Sequence, residues 1–306
     1  NRTFGSLFLE YNILEDLKAK VNLGSDRQLS RRDEFVTKTD TRAGLLSNGN
    51  AFIRDQERNS YLAEFTLNYS KQINSNNSIN VLAGYTYQKF NGRGVSASSI
   101  DLPTDAYLTN NIAAGDPSRY SIGSDKFQSQ LISYLGRVNY TLMDKYLLTG
   151  SFRVDGSSRF GEGNKYGYFP SIALAWRISD ESFMEALSVL SDLKLRTSYG
   201  VTGNQDIGNY QSQLLLSVAG TAVFNDNQFI GISPIQLANP DLKWETTAQW
   251  DIGLDIELFD GRVSAVIDYF QKNTYDLLLN LPIPRTSGFT TSLQNVGDTE
   301  NKGFDF

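Results

Sequence analysis

Residues 248–258 alternate strictly between apolar and polar side chains. The apolar positions are Ala248, Trp250, Ile252, Leu254, Ile256 and Leu258, and the residues between them are Gln249, Asp251, Gly253, Asp255 and Glu257. Because successive side chains of a strand point to opposite faces, one face is hydrocarbon and the other carries three carboxylates. A tilted strand crosses a bilayer in about 9–11 residues, whereas strands in soluble sheets average about 5–6. The apolar face is therefore as long as a membrane is thick.

The same two-residue period recurs along the chain. Further alternating segments lie at residues 61–69, 79–88, 146–155, 168–178 and 193–201. A two-residue period sustained over such lengths is a strong strand signal. We therefore predict about ten long strands with an eleventh beginning at Gly303, within the range of 8 to 26 strands known for membrane barrels. One segment, residues 179–190, has a helical spacing of apolar residues and is predicted to be a helix.

The links between these segments alternate in length. Short links lie near residues 13–16, 72–77, 142–145 and 259–262, and long polar links lie at about 25–60, 92–126, 202–245 and 276–302. The links at 156–166 and 179–191 fit the alternation if the first counts as long and the second as short. In an up-and-down sheet this order places all short turns at one end and all long loops at the other, as in bacterial outer-membrane barrels. The predicted fold is an all-β, transmembrane, antiparallel up-and-down barrel wall of about 10–11 strands.

Aromatic residues lie near the ends of the predicted strands. Tyr146 and Trp176 fall at the short-turn end, and Tyr85, Tyr87, Tyr168, Tyr199 and Tyr269 fall nearer the long loops. Outer-membrane barrels carry aromatic girdles at both interfaces. The simpler interpretation is that Tyr and Phe are good strand formers. The girdle is favoured because the aromatics keep to the apolar face.

The composition excludes several kinds of chemistry. The chain of 306 residues has no His and no Cys, which removes a Ser-His-Asp triad, disulfides and thiolate metal sites. Its formal charge is −6 and it has no Lys/Arg-rich run, so nucleic acid is not an expected partner. A two-carboxylate glycosidase is conceivable, but Asp251 and Asp255 lie roughly 13 Å apart along a strand, which is too far for that reaction. We expect no enzyme activity, no cofactor and no metal site.

The polar face of the strands is the best functional candidate. Arg or Lys on the lipid face costs about 2–4 kcal/mol at the midplane, so the charged face of a barrel must line the lumen. The candidates for this lumen face are Arg153, Asp155, Arg177, Lys194, Arg196, Asp251, Asp255, Glu257 and Asp268. Aromatic residues in the long links are candidates for contact with a substrate, and packing within the loops is an equally good interpretation. They are Tyr107, Tyr120, Tyr210, Phe229 and Trp244.

Several motifs occur together in the second half of the chain. They are Ser151-Phe-Arg-Val-Asp-Gly-Ser-Ser-Arg-Phe-Gly161, Tyr166-Gly-Tyr-Phe-Pro-Ser171, Trp176-Arg-Ile-Ser-Asp-Glu-Ser-Phe-Met184, Leu193-Lys-Leu-Arg-Thr-Ser-Tyr-Gly200, Gly203-Asn-Gln205, Ala238-Asn-Pro-Asp-Leu-Lys-Trp-Glu245, Asp268-Tyr-Phe270, Asp276-Leu-Leu278, Asn295-Val-Gly297 and Asn301-Lys-Gly-Phe304. In order and spacing this set resembles the SusC/RagA family of TonB-linked outer-membrane proteins. The resemblance covers residues 145–306, and residues 1–144 fit in strand pattern.

This resemblance implies a 22-stranded barrel in the bacterial outer membrane, plugged from the periplasmic side. It implies import of large nutrients such as oligosaccharides or peptides, driven through TonB, with a SusD-like surface lipoprotein as a lid. The N-terminal segment lacks the features of a signal peptide, and the chain has too few strands to close such a barrel. We therefore expect residues 1–306 to be a single barrel region of a longer protein. The plug domain, its TonB-contacting segment and the remaining strands would lie outside it.

Two alternatives stay open from the sequence. A passive porin-like channel has the same fold, and a plug domain in the parent protein would argue against it. A soluble, extracellular carbohydrate-binding β-protein would need its apolar face to pack on a second sheet. The substrate itself is not encoded in any motif of the loops.

Overall fold

The computed structural model describes residues 1–40, 47–187 and 189–306, and its regular structure is almost entirely β. The first eight strands are β1 (Arg2–Leu14), β2 (Leu17–Val36), β3 (Asn50–Asn74), β4 (Asn77–Ile100), β5 (Ser121–Leu142), β6 (Tyr146–Ser157), β7 (Tyr166–Arg177) and β8 (Leu190–Asn204). The others are β9 (Leu215–Phe224), β10 (Asn227–Gln236), β11 (Glu245–Leu258), β12 (Val263–Tyr275), β13 (Leu278–Pro282), β14 (Thr291–Asn295) and β15 (Thr299–Asp305). No helix among the described residues is both long enough and apolar enough to cross a membrane.

Six short 3-10 turns lie among the described residues. They lie at Asp105–Tyr107, Ile112–Ala114, Pro117–Arg119, Ile178–Asp180, Ser182–Met184 and Arg285–Ser287. The helix predicted over residues 179–190 is therefore wrong for the described part of that segment, and Ser188 lies outside the described residues. The backbone hydrogen bonds of this segment run from residue i to residue i−3; for example, the Met184 amide donates to the Glu181 carbonyl at 2.9 Å. Helices this short lack the propagating bonds that make an α-helix stable.

Eleven of the described strands form one sheet, in the order β1-β2-β3-β4-β5-β6-β7-β8-β11-β12-β15. The hairpins β9–β10 and β13–β14 form two separate two-stranded sheets inside the long links. Neighbours in the main sheet are adjacent in sequence apart from these inserted hairpins, and the strand pairs from β5 to β8 and on through β11, β12 and β15 are antiparallel. The prediction of an all-β, antiparallel, up-and-down wall is confirmed, and the eleventh strand of the sheet, β15, begins at Thr299 rather than at the predicted Gly303.

The chain divides into two compact units. The first unit consists of Asn1–Phe8, Asn22–Ala63 and Gln88–Gln130, and the second of Leu9–Val21, Glu64–Tyr87 and Leu131–Phe306. Each of the strands β1 to β5 contributes residues to both units.

Two of the predicted long links are shorter than expected. Strand β2 continues to Val36 and β3 starts at Asn50, while β4 continues to Ile100 and β5 starts at Ser121. The sequence signal ends earlier because both faces of these strand extensions carry polar residues, so no apolar alternation marks them. Residues 41–46 of the predicted link at 25–60 lie outside the described residues.

The strand register in the second unit sorts side chains onto two faces. Residues directly opposite in an antiparallel pair share a face. Ile172 pairs with Tyr199, which pairs with Trp250, so one apolar row crosses β7, β8 and β11. These three side chains are 49%, 46% and 42% exposed, so nothing in the described residues covers them. An uncovered apolar row of this length is the face that a barrel presents to lipid.

Aromatic side chains on this face meet in cross-strand pairs. Five such cross-strand pairs in the second unit, with ring centroids 5.1 to 6.4 Å apart, are Tyr85–Tyr134, Tyr146–Trp176, Phe152–Tyr168, Trp250–Tyr269 and Tyr269–Phe304. Aromatic pairs of this kind stabilise a sheet and enlarge the apolar surface available to lipid.

We predict that a cation on the apolar face is costly and that one on the other face is tolerated. Ile172→Arg should lower the free energy of unfolding of the full-length protein in lipid vesicles by about 2–4 kcal/mol. Ala173→Arg, one residue along β7 and on the opposite face, is the matched control and should cost far less. Urea titration of both variants measures this difference. Equal losses would mean that the two faces are not separated by a membrane.

Candidate functional site

The register in the second unit places all nine predicted lumen residues on one face, opposite the apolar row. Arg177 pairs with Lys194, and Lys194 pairs with Asp255. Ser151, in line with Arg153 and Asp155 on β6, pairs with Ser171 on the same face of β7. Asp251, Asp255 and Glu257 alternate along β11 as expected, and Asp268 pairs with Gly253. That this shared face lines a passage stays a prediction.

Four of these residues form one ion-pair network across β8, β11 and β12. Asp255 accepts hydrogen bonds from Lys194 Nζ and Arg196 Nε, both at 2.8 Å. Arg196 Nη2 donates to Asp268 Oδ2, also at 2.8 Å. The four side chains are 21–35% exposed, so each charge is partly shielded from water and needs its partner.

Gly253 makes room for this network. It lies between Arg196 on β8 and Asp268 on β12 in the paired register. A Cβ atom at this position would overlap Asp268 Oδ1 and lie 2.7 Å from Arg196 Cζ. A glycine is therefore required for the guanidinium to cross β11 and reach the third strand.

The other predicted charges are held separately. Arg153 Nε donates to both oxygens of Asp155 at 2.8 Å, and its Nη2 donates to Ser133 Oγ at 3.0 Å. Asp251 accepts from Gln249 Nε2 at 2.9 Å and from Ser198 Oγ at 3.3 Å. Arg177 and Glu257 belong neither to the ion-pair network around Asp255 nor to the contacts of Arg153 and Asp251.

Uncharged side chains link the strands preceding this network. Asn80 Nδ2 donates to Asn68 Oδ1 at 2.7 Å, and Thr149 Oγ1 donates to Asn139 Oδ1 at 2.9 Å. Asn139 Nδ2 lies 3.4 Å from Asn80 Oδ1, so the amides form a ladder from β3 to β6. Sequence analysis did not identify this ladder. The sequence feature that indicates the ladder is a polar residue on the same face of each of four successive strands, namely Asn68, Asn80, Asn139 and Thr149.

A cavity of about 350 Å³ lies between the ladder and the ion-pair network. Its polar lining includes Thr149, Arg196, Ser198 and Asp251. Small side chains such as Ala173 and Ala175 form its floor, which leaves room for water or a small polar group on this face.

The long-link end of the second unit is organised by an apolar cluster. Its buried members are Phe160, Phe169, Ile207, Leu242 and Trp244, each at most 7% exposed. The ring centroids of Phe160 and Phe169 lie 5.3 and 5.4 Å from that of Trp244. The indole Nε1 of Trp244 donates to the Lys165 carbonyl at 3.0 Å. The cluster thus joins the links after β6, after β8 and before β11.

The hairpin β13–β14 is fastened to the same region. Asn295 Nδ2 donates to the Lys243 carbonyl at 2.9 Å, and the Lys243 amide donates to Asn295 Oδ1 at 2.9 Å. Asn239 Nδ2 donates to the Leu293 carbonyl at 2.8 Å. Sequence analysis missed Phe160, Leu242 and this hairpin. The available signal was the presence of large apolar residues inside otherwise polar, glycine-containing links.

The aromatic loop candidates have different environments. Tyr107 and Phe229 are exposed, at 41% and 54%. Tyr120 is 37% exposed, but its hydroxyl donates to the Ala113 carbonyl at 2.7 Å and so braces its own loop. Tyr210 is half-buried, and Trp244 is 6% exposed within the apolar cluster. Tyr107 and Tyr120 belong to the first unit and the other three to the second.

A carboxylate outside the membrane-spanning strands holds the short-turn end. Glu181 accepts hydrogen bonds from the Tyr146 hydroxyl at 2.7 Å, from Trp176 Nε1 at 3.1 Å and from Lys145 Nζ at 3.0 Å. The Tyr146 hydroxyl, followed by Lys145 and Trp176, lowers the pKa of Glu181 below its ordinary value. The stacked Tyr146–Trp176 pair is therefore anchored at its polar edge, as an interfacial aromatic belt requires.

An antiparallel sheet with one uncovered apolar face and one ion-paired face is a wall of an outer-membrane barrel. A family model described as TonB dependent receptor-like, beta-barrel matches residues 2–306. The chain belongs to this family of outer-membrane receptors, which are not classed as enzymes. The resemblance seen in the sequence and the predicted location in the outer membrane are confirmed.

Individual relatives agree with this assignment. The chain is 39% identical to TonB-dependent receptor P26 of Formosa agariphila, over 100% of this chain and 31% of that protein. It is 42% identical to TonB-dependent receptor SusC of Bacteroides thetaiotaomicron, over 58% of this chain and 18% of that protein. The structure of the RagAB peptide transporter matches 99% of this chain and 34% of that chain, with a TM-score of 0.86 and 29% identity. The chain thus spans about a third or less of these relatives.

We predict that Asp255→Asn weakens the wall. Lys194 and Arg196 would each lose a charged acceptor, which should lower the free energy of unfolding by about 1–2 kcal/mol for such partly exposed pairs. The control is Lys302→Gln, which removes a cation from the exposed Lys302–Glu300 pair and should cost close to nothing. Urea unfolding of the full-length receptor in vesicles compares them. A loss no larger than that of the control would contradict a supporting role for the network.

We predict that Trp244→Ala releases the loops. Removal of a buried indole should cost about 3–5 kcal/mol of local stability. Hydrogen exchange should then accelerate in residues 158–165 and 237–244 while β6 and β7 stay protected. Phe229→Ala, which truncates an exposed ring, is the control and should leave exchange unchanged. Unchanged loop protection in Trp244→Ala would show that the cluster does not hold these links.

We predict that the Glu181 anchor fails only in acid. Because the pKa of Glu181 is lowered in the folded protein, its contribution is complete above the unfolded pKa and is lost as the pH falls through the folded pKa. Hydrogen exchange in residues 178–187, corrected for intrinsic rates, should therefore rise in acid. In Glu181→Gln the exchange should already be raised at neutral pH and should lack this acid transition. An identical pH profile in both proteins would rule out the anchor.

Proposed function

We propose that the whole protein is a TonB-dependent importer of large nutrients across the outer membrane. The proposed cargo is an oligosaccharide or a peptide, and the proposed partners are TonB and a SusD-like surface lipoprotein. Family membership and the match to the RagAB peptide transporter support this proposal. The observation that carries it is the ion-paired face of the sheet opposite an uncovered apolar face.

In this proposal the charged face lines the passage. The nine residues comprise four basic side chains, Arg153, Arg177, Lys194 and Arg196, and five acidic ones, Asp155, Asp251, Asp255, Glu257 and Asp268. A wall that carries charges of both signs, most of them paired with one another, stays hydrated without holding a cargo of either charge sign. This suits passage of large polar molecules better than a wall of one sign, which would retain cargo of the opposite charge.

The aromatics of the long links have a separate role in this proposal. Tyr107, Tyr120, Tyr210 and Phe229 are proposed to contact the cargo, since aromatic rings bury apolar surface and stack with little loss of entropy. Trp244 is too buried for such contact, and the loop cluster uses it to position the other links.

The barrel, its plug and its partners would divide the work. The residues described here would supply the wall and part of the extracellular rim. Coupling to TonB would need the plug region, which is proposed to lie elsewhere in the parent protein. Domain limits of 1–306 for a single barrel region remain part of this proposal.

Uptake measurements test the proposal directly. Cells carrying the full-length gene should accumulate labelled oligosaccharide or peptide, and a protonophore or deletion of TonB should abolish accumulation. A variant without the plug's TonB-contacting segment should bind cargo but not accumulate it. Uptake that persists without TonB would instead identify a passive channel, and fractionation of the protein away from the outer membrane would exclude both.

A further inference from the structure

Within the first unit, one face of β3 differs in charge from the other. Arg54, Gln56 and Arg58 alternate along β3 with Asp55 and Glu57, so the cations share one face and the acids the other. The exposed Tyr61 lies on the side of the acids, which identifies it as the apolar side. The arginines therefore project from the side opposite the lipid.

Two residues of β2 complete this surface. A cavity of about 320 Å³ is lined entirely by Ser30, Arg32, Arg54, Gln56 and Arg58. The lining thus presents three guanidinium groups, one hydroxyl and one amide, and has no apolar side chain. A volume of this size is at the lower end of the range of about 300–1000 Å³ for small-ligand sites.

The acids that approach these arginines leave most of their donors unused. Arg54 Nη2 donates to Asp125 Oδ1 at 2.8 Å, and Arg32 donates to Glu34 Oε1 both from Nε, at 2.6 Å, and from Nη2. Arg58 has no acidic partner in the described residues, and a guanidinium offers five N–H donors. This differs from the second unit, where Lys194, Arg196, Asp255 and Asp268 are paired with one another.

One donor of a residue that lines the cavity is buried and unsatisfied. Arg54 Nε is shielded from solvent and has no hydrogen-bond partner in the described residues. A buried N–H without an acceptor is costly and usually marks a position that an ion, a water or a ligand fills.

On this basis we infer that the cavity binds a tetrahedral oxyanion, specifically a sulfate ester carried by an incoming glycan. A carboxylate has two oxygens and is satisfied by one bidentate arginine. Three guanidiniums with the Ser30 hydroxyl and the Gln56 amide supply donors from several directions, which suits the three free oxygens of a sulfate ester. Arginine is also the more weakly hydrated cation and pairs well with such anions. This inference deepens the proposed import function and rests on it for the origin of the ligand.

Binding to the purified full-length receptor tests the site itself. The probes are a sulfated carrageenan oligosaccharide, the same oligosaccharide after chemical desulfation, an oligogalacturonate and an acidic peptide of similar length. At 0.15 M salt, the wild type should bind the sulfated probe at least tenfold more tightly than the desulfated one. Equal binding of the two, or binding of the oligogalacturonate or the peptide as tight as that of the sulfated probe, would overturn the inference.

Variants locate the effect. Arg58→Gln should weaken binding of the sulfated probe at least tenfold and leave the desulfated probe unaffected. Arg54→Lys keeps the charge beside Asp125 but lacks Nε, and it should lose part of the preference for sulfate. The matched control is Arg31→Gln, which removes a cation from the opposite face of β2 and should change neither. A loss in Arg31→Gln equal to that in Arg58→Gln would indicate general charge attraction and overturn the site.

Uptake separates failure of this site from failure of the proposed function. TonB-dependent accumulation of a desulfated or neutral cargo should persist in Arg58→Gln cells. If the wild type imports cargo through TonB but shows no preference for sulfate, the inference fails and the importer stands. If no cargo accumulates through TonB while purified receptor still selects the sulfated probe, the import function fails and the binding site stands.

Discussion

The difference in solvent on the two sides of each strand determines the structure. A cation on the lipid side of a barrel costs about 2–4 kcal/mol at the midplane, whereas the same cation on the aqueous side costs little. Since a slip of one residue would exchange the two faces, every long strand is held in a single register. The exposed row of Ile172, Tyr199 and Trp250 and the network around Asp255 are two results of the same constraint.

The aqueous side must still satisfy its charges. Charges that are only 21–35% exposed lose part of their favourable hydration energy, and pairing across strands compensates for that loss. Arg196 illustrates this, because it reaches acids on two neighbouring strands and depends on the missing side chain of Gly253 to do so. Where uncharged residues occupy the same face, amide and hydroxyl groups form the equivalent cross-strand bonds. The wall is thus polar and internally neutralised, a different condition from the arginine-lined cavity on β2 and β3.

Prediction from the sequence was reliable for strands in which the two-residue period separates one apolar face from one polar face. The strands around residues 146–178 and 248–258 and the face of each charged residue followed from alternation, because one face was apolar throughout. Alternation does not identify a strand whose two faces are both polar, so the sequence predicts loops where β2 to β5 extend. It also failed for Trp244, whose environment depends on Phe160 and Leu242 from other links, and no local pattern reports such contacts. The pairing of Arg196 with two acids likewise needed the register, which the sequence of one strand does not contain.

The shared apolar cluster has a consequence for how such receptors diversify. Links that bury their anchors in one common centre cannot change length or direction one at a time, because a shift in one removes packing from the others. Changes in loop length and sequence are therefore tolerated best in segments that make no contact with the cluster. The hairpin of β9 and β10 is such a segment, since its tip at residues 225–226 lies beyond the anchors at Ile207 and Leu242. This hairpin can therefore change in sequence and length, and with it the surface that contacts a ligand, without disturbing the packing of the cluster.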